Sequence, residues 1–151
     1  MSSNHDIVDI SDKFNKYIKI LISTIDVSMS NINNSNESEY FNKLKKKIFL
    51  LIGHEPLVIL QQCGPYLYDF REEIFNNDIN KLLNESDIDN VSTYINNEVQ
   101  DENIKDTNNI KRLIHCLKTV WFEYSSTEQK KIVKLLKHLI SEYSKYLLIK
   151  S

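Results

Sequence analysis

Alanine is absent from the 151 residues of this sequence, and glycine, proline and cysteine occur only twice each. Two glycines cannot build a phosphate-cradling loop, which excludes nucleotide hydrolysis by a P-loop, and they leave few positions for the tight turns of β-hairpins. The two cysteines have neither a C-x-x-C spacing nor a cluster of histidines beside them, so neither a zinc site nor a disulfide scaffold is indicated. Reduced thiols fit a cytosol-like compartment, and we expect a cytoplasmic protein.

Long apolar runs are also missing. The longest, IFLLI at 48–52, is far too short to span a bilayer, and the N-terminal stretch MSSNHDIVDISDKF has no basic or apolar region of a signal peptide. We therefore expect neither a membrane-spanning nor a secreted chain. With 41% hydrophobic and 26% charged residues, the length fits one domain with one core. We expect a single domain over residues 1–151, with a flexible N-terminus at 1–10.

Four residue types dominate what is present. Isoleucine, lysine, asparagine and tyrosine supply 62 of the 151 residues, and all four have A- and T-rich codons. We interpret the asparagine richness as genome composition rather than a functional tract, because the interspersed isoleucine, leucine and phenylalanine still supply a core. AT-rich parasites, bacteria and large DNA viruses have genomes of this kind.

The first half of the chain has the pattern of helices separated by turns. Ser11 stands at the N-cap position of a helix over about 11–31, and a second helix ends at Gly53. The stretch QQCGPYLYDFREEIFNNDINKLL concentrates rare residues. A short helix is predicted to end there at Gly64 and the next to begin at Pro65, whose missing N–H is no loss in a first turn.

The middle of the chain is the hardest part to divide into helices. Asp78 is placed to cap a short helix, and Ser86 or Asp87 to cap another. The stretch 96–109 then has the composition of an acidic, polar connection.

Two strongly periodic helices follow. Thr107 introduces the first, and Ser126 with Gln129 forms a capping box for the second. Their short connection predicts an antiparallel hairpin. The whole pattern predicts an all-α, bundle-like domain of five to seven helices. The predicted core includes Phe14, Ile18, Ile48, Leu67, Phe70, Leu117, Trp121, Leu135 and Leu139.

No catalytic set emerges from the sequence. Neither G-x-S-x-G nor H-E-x-x-H is present, and the four histidines lie far apart. Because neighbouring helical positions point about 100° apart, His115 and Cys116 cannot both face one partner, and we expect an exposed histidine beside a half-buried cysteine. We interpret Asp69, Glu72 and Glu73 as first-turn partners of a helix dipole rather than as acid and base. We therefore expect a non-enzymatic protein with no cofactor, no metal and no small-molecule substrate.

Charge is unevenly distributed. Residues 61–109 hold 3 basic and 11 acidic side chains, whereas 110–151 hold 9 basic and 3 acidic ones. The lysines of the last helix form a basic face, for which solvation, nucleic acid, an acidic partner and the chain's own acidic middle are all open explanations. We do not expect nucleic acid, because the net charge is −2, arginine is nearly absent and no aromatics interleave the lysines.

Three aromatic residues cluster between the last two helices. Core packing is the simplest interpretation of Trp121, whereas Phe122 and Tyr124 are better candidates for an exposed contact, since aromatics are favoured at interfaces. We expect a protein partner, either another copy of this chain or a host protein. The residues predicted to contact it are Phe122, Tyr124, Lys130, Lys134 and Lys137.

Two segments, PYLYDFREEIFNND and IKRLIHCLKTVWFEYSSTEQKKIVKLLKHLISEYSKYL, resemble small uncharacterised helical proteins of the mimivirus group and related large-genome DNA viruses. The family often has aromatics soon after the acidic residue of the first segment, where this chain has Ile79, Leu82 and Leu83. The resemblance supplies no activity. It implies a viral protein, associated with the virion or present in the host cytoplasm, that acts through protein contacts. The matching positions are Pro65, Tyr66, Phe70, Ile74, Asp78, Trp121, Ser125 and Leu136.

An alternative resemblance is to the viral Bcl-2-like fold, which also has about 150 residues, only helices and no catalytic groups. It implies a modulator that binds a host helix in a groove. Such proteins often carry a Gly-Arg pair at the start of a central helix, and this chain has no counterpart, since Trp121 is followed by FEYSS.

Overall fold

The computed structural model describes residues 2–85 and 109–150. These two parts contain seven α-helices and one short 3-10 helix and no strand, which confirms the all-α prediction. The 3-10 helix is Trp121–Glu123. The α-helices are α1 (Ser2–Met29), α2 (Ser35–His54), α3 (Pro56–Tyr68), α4 (Arg71–Phe75), α5 (Asn80–Asn84), α6 (Asn109–Val120) and α7 (Ser126–Lys150).

Some sequence predictions fall outside the described residues. These are the helix capped by Ser86 or Asp87, the start of a helix at Thr107 and nearly all of the acidic connection at 96–109. No helix in the described parts of the chain is long and apolar enough to cross a membrane.

Helix α1 begins at Ser2, nine residues before the predicted start at Ser11. Residues 2–10, for which a flexible N-terminus was predicted, are therefore part of a helix. Ser11 is therefore not an N-cap. Its buried hydroxyl donates a hydrogen bond to the carbonyl of Pro56 at 2.9 Å, and the amide of Asn15 donates to the same carbonyl at 2.8 Å. A polar residue that looks like a cap in the sequence here ties α1 to the start of α3.

Helix α3 runs straight through Gly64 and Pro65, which were predicted to separate two helices. Gly64 does not end the helix; it allows another helix to pack closely against α3. A Cβ atom at this position would lie 2.6 Å from Cγ and 2.7 Å from Cε1 of Tyr143 on α7. Glycine is thus the residue that lets α3 and α7 approach closely. The predicted end of α2 at Gly53 is one residue short of the observed end at His54.

Helix α6 is largely buried by its neighbours. It packs against α1, α2, α3 and α5, and eight of its twelve residues are buried. The prediction of an α6–α7 hairpin is wrong: α7 packs mainly on α1 and α3. The apolar surface of α6 is too wide to be covered by one neighbour, and the intervening 3-10 helix allows the chain to leave in another direction.

The predicted core is almost entirely correct. Eight of its nine members are buried, and Leu135 is half-buried beside the fully buried Leu136. The stripe predicted from helical spacing for the first helix is Phe14, Ile18, Leu21, Ile25, Met29 and Ile32. The first five lie on α1 and are each at most 2% exposed, whereas Ile32 lies beyond the end of α1 and is half-buried.

Candidate partner-binding surface

A pocket of about 400 Å³ lies where the corner between α4 and α5 meets the 3-10 helix and the start of α7. Its lining combines amide, hydroxyl and ammonium groups with the edge of one tryptophan. Four residues of α7 contribute to it, spaced so that they share one face. The lining residues are Asn77, Asp78, Ile79, Asn80, Trp121, Ser126, Gln129, Lys130 and Val133.

The corner between α4 and α5 is fixed by backbone hydrogen bonds. Asn77 has a φ of 65°, a left-handed conformation that asparagine tolerates better than most residues. The N–H of Asn77 donates to the carbonyl of Ile74, and the N–H of Asp78 donates to Glu73, both at 2.9 Å. This is the bonding of a Schellman motif. The carboxylate of Asp78 accepts from the N–H of Asn80 at 3.0 Å, but the N-cap of α5 is Ile79, so Asp78 lies one residue before the cap position predicted for it.

The 3-10 helix sends its first two side chains in different directions. Trp121 points inward and is 9% exposed, whereas Phe122 is 88% exposed, the highest value among the large hydrophobic side chains described. Successive residues of a 3-10 helix point about 120° apart, so the two aromatic rings cannot share one environment. The apolar side chain of Phe122 therefore projects into solvent next to Trp121, which lines the pocket.

The N-terminus of α7 is capped by hydrogen bonds between Ser125 and Glu128. The Ser125 hydroxyl accepts from the N–H of Glu128 at 3.1 Å, and the Glu128 carboxylate accepts from the N–H of Ser125 at 2.9 Å. These bonds lower the pKa of Glu128. The capping box therefore lies one residue before the predicted pair of Ser126 and Gln129. Gln129 instead donates to the carbonyl of Trp121 at 3.0 Å, which holds the 3-10 helix against α7.

The three lysines predicted to contact a partner lie along the first half of α7. Lys130 and Lys134 are exposed, and Lys130 lines the pocket. Lys137 is half-buried. Its ammonium donates to the side-chain oxygen of Asn77 at 2.7 Å and lies 6.0 Å from the ring centroid of Phe75, which is itself 48% exposed. Lys137 thus joins α7 to the corner, and the other two remain available to solvent.

Tyr124 is not an exposed contact residue. It is 8% exposed, and its hydroxyl donates to the carbonyl of Thr24 on α1 at 3.0 Å. Burial, which is the main cause, raises the pKa of this hydroxyl. The prediction that Tyr124 is an exposed contact residue is wrong. Tyr124 anchors the segment after the 3-10 helix to α1, and of the two aromatic candidates only Phe122 projects outward.

The cysteines are placed where their thiols are inert. Both are buried. Burial raises the pKa of the Cys63 thiol from 9.0 to about 12, and raises that of Cys116 further. His115, expected to be exposed, is half-buried and has Nε2 at 3.0 Å and 3.2 Å from the carboxylate oxygens of Glu37. The histidine therefore faces α2 and not its neighbouring cysteine, whose thiolate would in any case be scarce.

The carboxylates of the central region do not converge. Glu72 and Glu73 lie in the first turn of α4, as their dipole interpretation requires, but Asp69 follows the end of α3. Glu73 is 3.7 Å from the ammonium of Lys81. Within residues 2–85 and 109–150, no group of three or more His, Cys, Asp or Glu side chains could hold a metal ion.

A second surface feature was missed by the sequence analysis. A groove of about 770 Å³ runs along α1 beside the junction of α2 and α3. The apolar side chains Ile20 and Val27, which are 40% and 68% exposed, lie along it. The sequence carried a signal for it, because these two residues fall off the apolar stripe of α1 and a solvent-exposed face does not require them.

No protein-family model, curated protein or solved structure matches the chain.

Proposed function

We propose that this chain is a non-enzymatic protein that acts by binding another protein, with Phe122 at the centre of the contact. The observation that supports the proposal is the 88% exposure of Phe122 on a segment held at both ends. Trp121 anchors the segment on one side, and Tyr124 on the other through its bond to Thr24. An aromatic side chain on such a held segment suits a binding anchor, because the backbone that carries it is already ordered and loses little freedom on association.

The surroundings of Phe122 indicate the chemistry of the partner. Lys130 and Lys134 are exposed on the helix that follows, and the pocket beside Trp121 offers amide groups that can donate and accept hydrogen bonds. An apolar pocket for the phenylalanine ring, bordered by acidic side chains, would complement this surface. Such a pocket could belong to a host protein or to a second copy of this chain.

Nucleic acid fits this surface less well. The Glu128 carboxylate occupies the N-terminus of α7, where a phosphate would otherwise bind. Trp121 and Tyr124 are buried, so their rings are not available for stacking on bases. Action in a virus particle or in the host cytoplasm, which the viral resemblance implies, belongs to the same proposal. The Bcl-2-like alternative stays a prediction.

Affinity capture tests the proposal through one residue. Wild-type chain, Phe122→Ala and Leu50→Ala are used as bait in the same cell extract, and the bound proteins are compared by mass spectrometry. Leu50 is the matched control, since it is an apolar side chain 51% exposed on α2. We expect a partner that is retained by the wild type and by Leu50→Ala and lost with Phe122→Ala. Identical bound proteins for all three baits would contradict the proposal.

The lysines provide a second test of the same contact. Lys130→Glu together with Lys134→Glu should weaken binding of the partner, and the wild-type interaction should weaken as salt rises from about 50 to 500 mM, because added salt shortens the screening length. If the partner is a second copy, sedimentation will show the same salt dependence in the molecular mass. A salt-independent interaction that tolerates both substitutions would exclude these lysines from the contact.

A further inference from the structure

We infer that the groove along α1 binds an amphipathic helix with an acidic flank from another protein. The groove is lined by one long face of α1 and, across from it, by Ile52 near the end of α2 and Pro56 at the start of α3. Its lining shares Thr24 with the anchor of Tyr124, but it contains none of Phe122, Lys130 and Lys134, so substitutions of exposed side chains test the two surfaces separately. The α1 residues that line it run from Asp12 to Val27.

The apolar part of the groove follows helical spacing. Ile20 and Val27 are seven residues apart, so they lie on the same side of α1, two turns from one another. Both are exposed although the buried stripe of α1 is complete without them. With Ile52 and Pro56 on the facing wall, they give a partner an apolar strip to cover.

The length and walls of the groove favour a helix over an extended peptide. Residues 12–27 of α1 span about 22 Å, which a partner helix of about 15 residues would match. Half of such a helix, treated as a cylinder about 10 Å wide, displaces about 900 Å³, close to the groove volume of about 770 Å³. The walls are helices whose backbone groups already bond internally. An extended peptide would leave its own N–H and C=O groups unpaired there, whereas a helix satisfies them itself.

Charge at the groove selects an acidic partner. Lys16 and Lys19 are exposed on the α1 wall, and neither forms an ion pair within the described parts of the chain. Asp12 is the single acidic residue of the lining. Glutamate or aspartate on one flank of the bound helix would meet the two ammonium groups, while a basic flank would be repelled.

Designed peptides test the inference. The probe is a 15-residue helical peptide with leucine on one face and glutamate on the flanks, compared with the same peptide carrying lysine on the flanks. Fluorescence anisotropy measures binding of each to the wild type and to groove variants. We expect the acidic peptide to bind about tenfold more tightly than the basic one. Ile20→Glu should weaken the acidic peptide about tenfold or more, because it places a charge in the apolar strip.

Reversing the charge of lysines distinguishes binding in the groove from a general electrostatic attraction between the peptide and the protein. Lys16→Glu with Lys19→Glu should weaken the acidic peptide and strengthen the basic one. The control is Lys46→Glu with Lys118→Glu, on α2 and α6, which changes the net charge equally outside both proposed surfaces and should leave both peptides unaffected. All four lysines are exposed, so both double variants are expected to fold.

Three results would overturn the inference. The first is the absence of acidic-peptide binding up to about 1 mM, the affinity of a marginal contact. The second is equal binding of both peptides, or an equal loss in the control double variant. The third is a wild-type dimer in sedimentation that Ile20→Glu converts to a monomer, which would identify a second copy of this chain as the occupant.

Discussion

Replacing Gly64 by alanine should destabilise the protein, although alanine is the better helix former. Gly64 lies inside α3, where alanine would gain about 1 kcal/mol from helix propensity. Against this gain, the new methyl group would overlap the Tyr143 ring, at 2.6 Å from Cγ and 2.7 Å from Cε1. Those atoms extend along one edge of the ring, from Cγ at its base to Cε1 beside Cζ, so a small rotation of the tip alone cannot relieve the overlap.

The surroundings of Tyr143 determine the size of the effect. Its ring is 9% exposed and contacts the rings of Tyr68 and Tyr146, with centroids 5.7 Å and 6.0 Å away. Overpacking in such a setting costs about 1–3 kcal/mol or more. For so short a contact we take about 2–3 kcal/mol of that range, and after subtracting the propensity gain of about 1 kcal/mol we expect a net loss of about 1–2 kcal/mol. This lowers the melting temperature of a chain of this size by about 3–6 °C.

Gly53→Ala is the matched control, because a Cβ atom there would meet nothing within 4 Å and the residue is also inside a helix. It should be neutral or raise the stability by about 0.5 kcal/mol. Both variants are measured by thermal and urea unfolding followed by circular dichroism. In a Tyr143→Ala background, the destabilisation by Gly64→Ala should disappear. An equal response of the two glycines, or an unchanged effect in that background, would refute the close approach of α3 and α7.

Other predictions concern single buried groups. Trp121→Ala should cost about 3–5 kcal/mol in urea unfolding, the range for a large core aromatic, and an unchanged curve would place this side chain outside the core. Tyr124→Phe should cost about 0.5–1.5 kcal/mol, since only the hydrogen bond to Thr24 is lost, and a loss as large as that of Trp121→Ala would show that more than this bond had changed. Because Cys63 and Cys116 are buried with raised pKa values, a thiol reagent at pH 8 should label them only after unfolding, and rapid labelling of the native protein would contradict their placement. The folded state keeps the Cys63 proton above pH 9.0, where the unfolded chain releases it. The stability present below pH 9 should therefore fall as the pH rises towards 12, and a constant free energy of unfolding over that range would argue against burial of the thiol.

The helices and their buried faces could be predicted from the sequence because helical spacing reports directly which side of a helix is apolar. The stripe that begins at Phe14 is an example: its five members on α1 are buried, and the sixth, Ile32, lies beyond the end of that helix and is half-buried. The ends of helices were less predictable where a residue has a role in tertiary packing. Ser11 and Gly64 are residue types favoured at helix ends, but each lies inside a helix and contacts another one. Those contacts involve residues 45 and 79 positions away, which local patterns do not report.

The candidate site was only partly predictable for a related reason. Phe122 and Tyr124 differ in exposure by a factor of about ten. In the sequence both are aromatic residues near a turn, so their exposures could not be predicted to differ. The difference arises from the 3-10 helix, whose tighter winding is not visible in an apolar pattern. The groove on α1 depends on the positions of α2 and α3, so Ile20 and Val27 could be recognised as unusual but not as neighbours of Ile52.

The pairing of α1 with α7 has a consequence for how the protein is made. This is the most extensive contact between two helices in the described parts of the chain, and it joins α1 to a helix that is synthesised much later. At about 5–20 residues per second, the ribosome needs about 6–25 seconds to pass from the end of α1 to the end of α7. Throughout that interval the Phe14 face of α1 lacks its main partner, so nascent chains should bind chaperones there, and the domain should become protease-resistant only after α7 has left the ribosome.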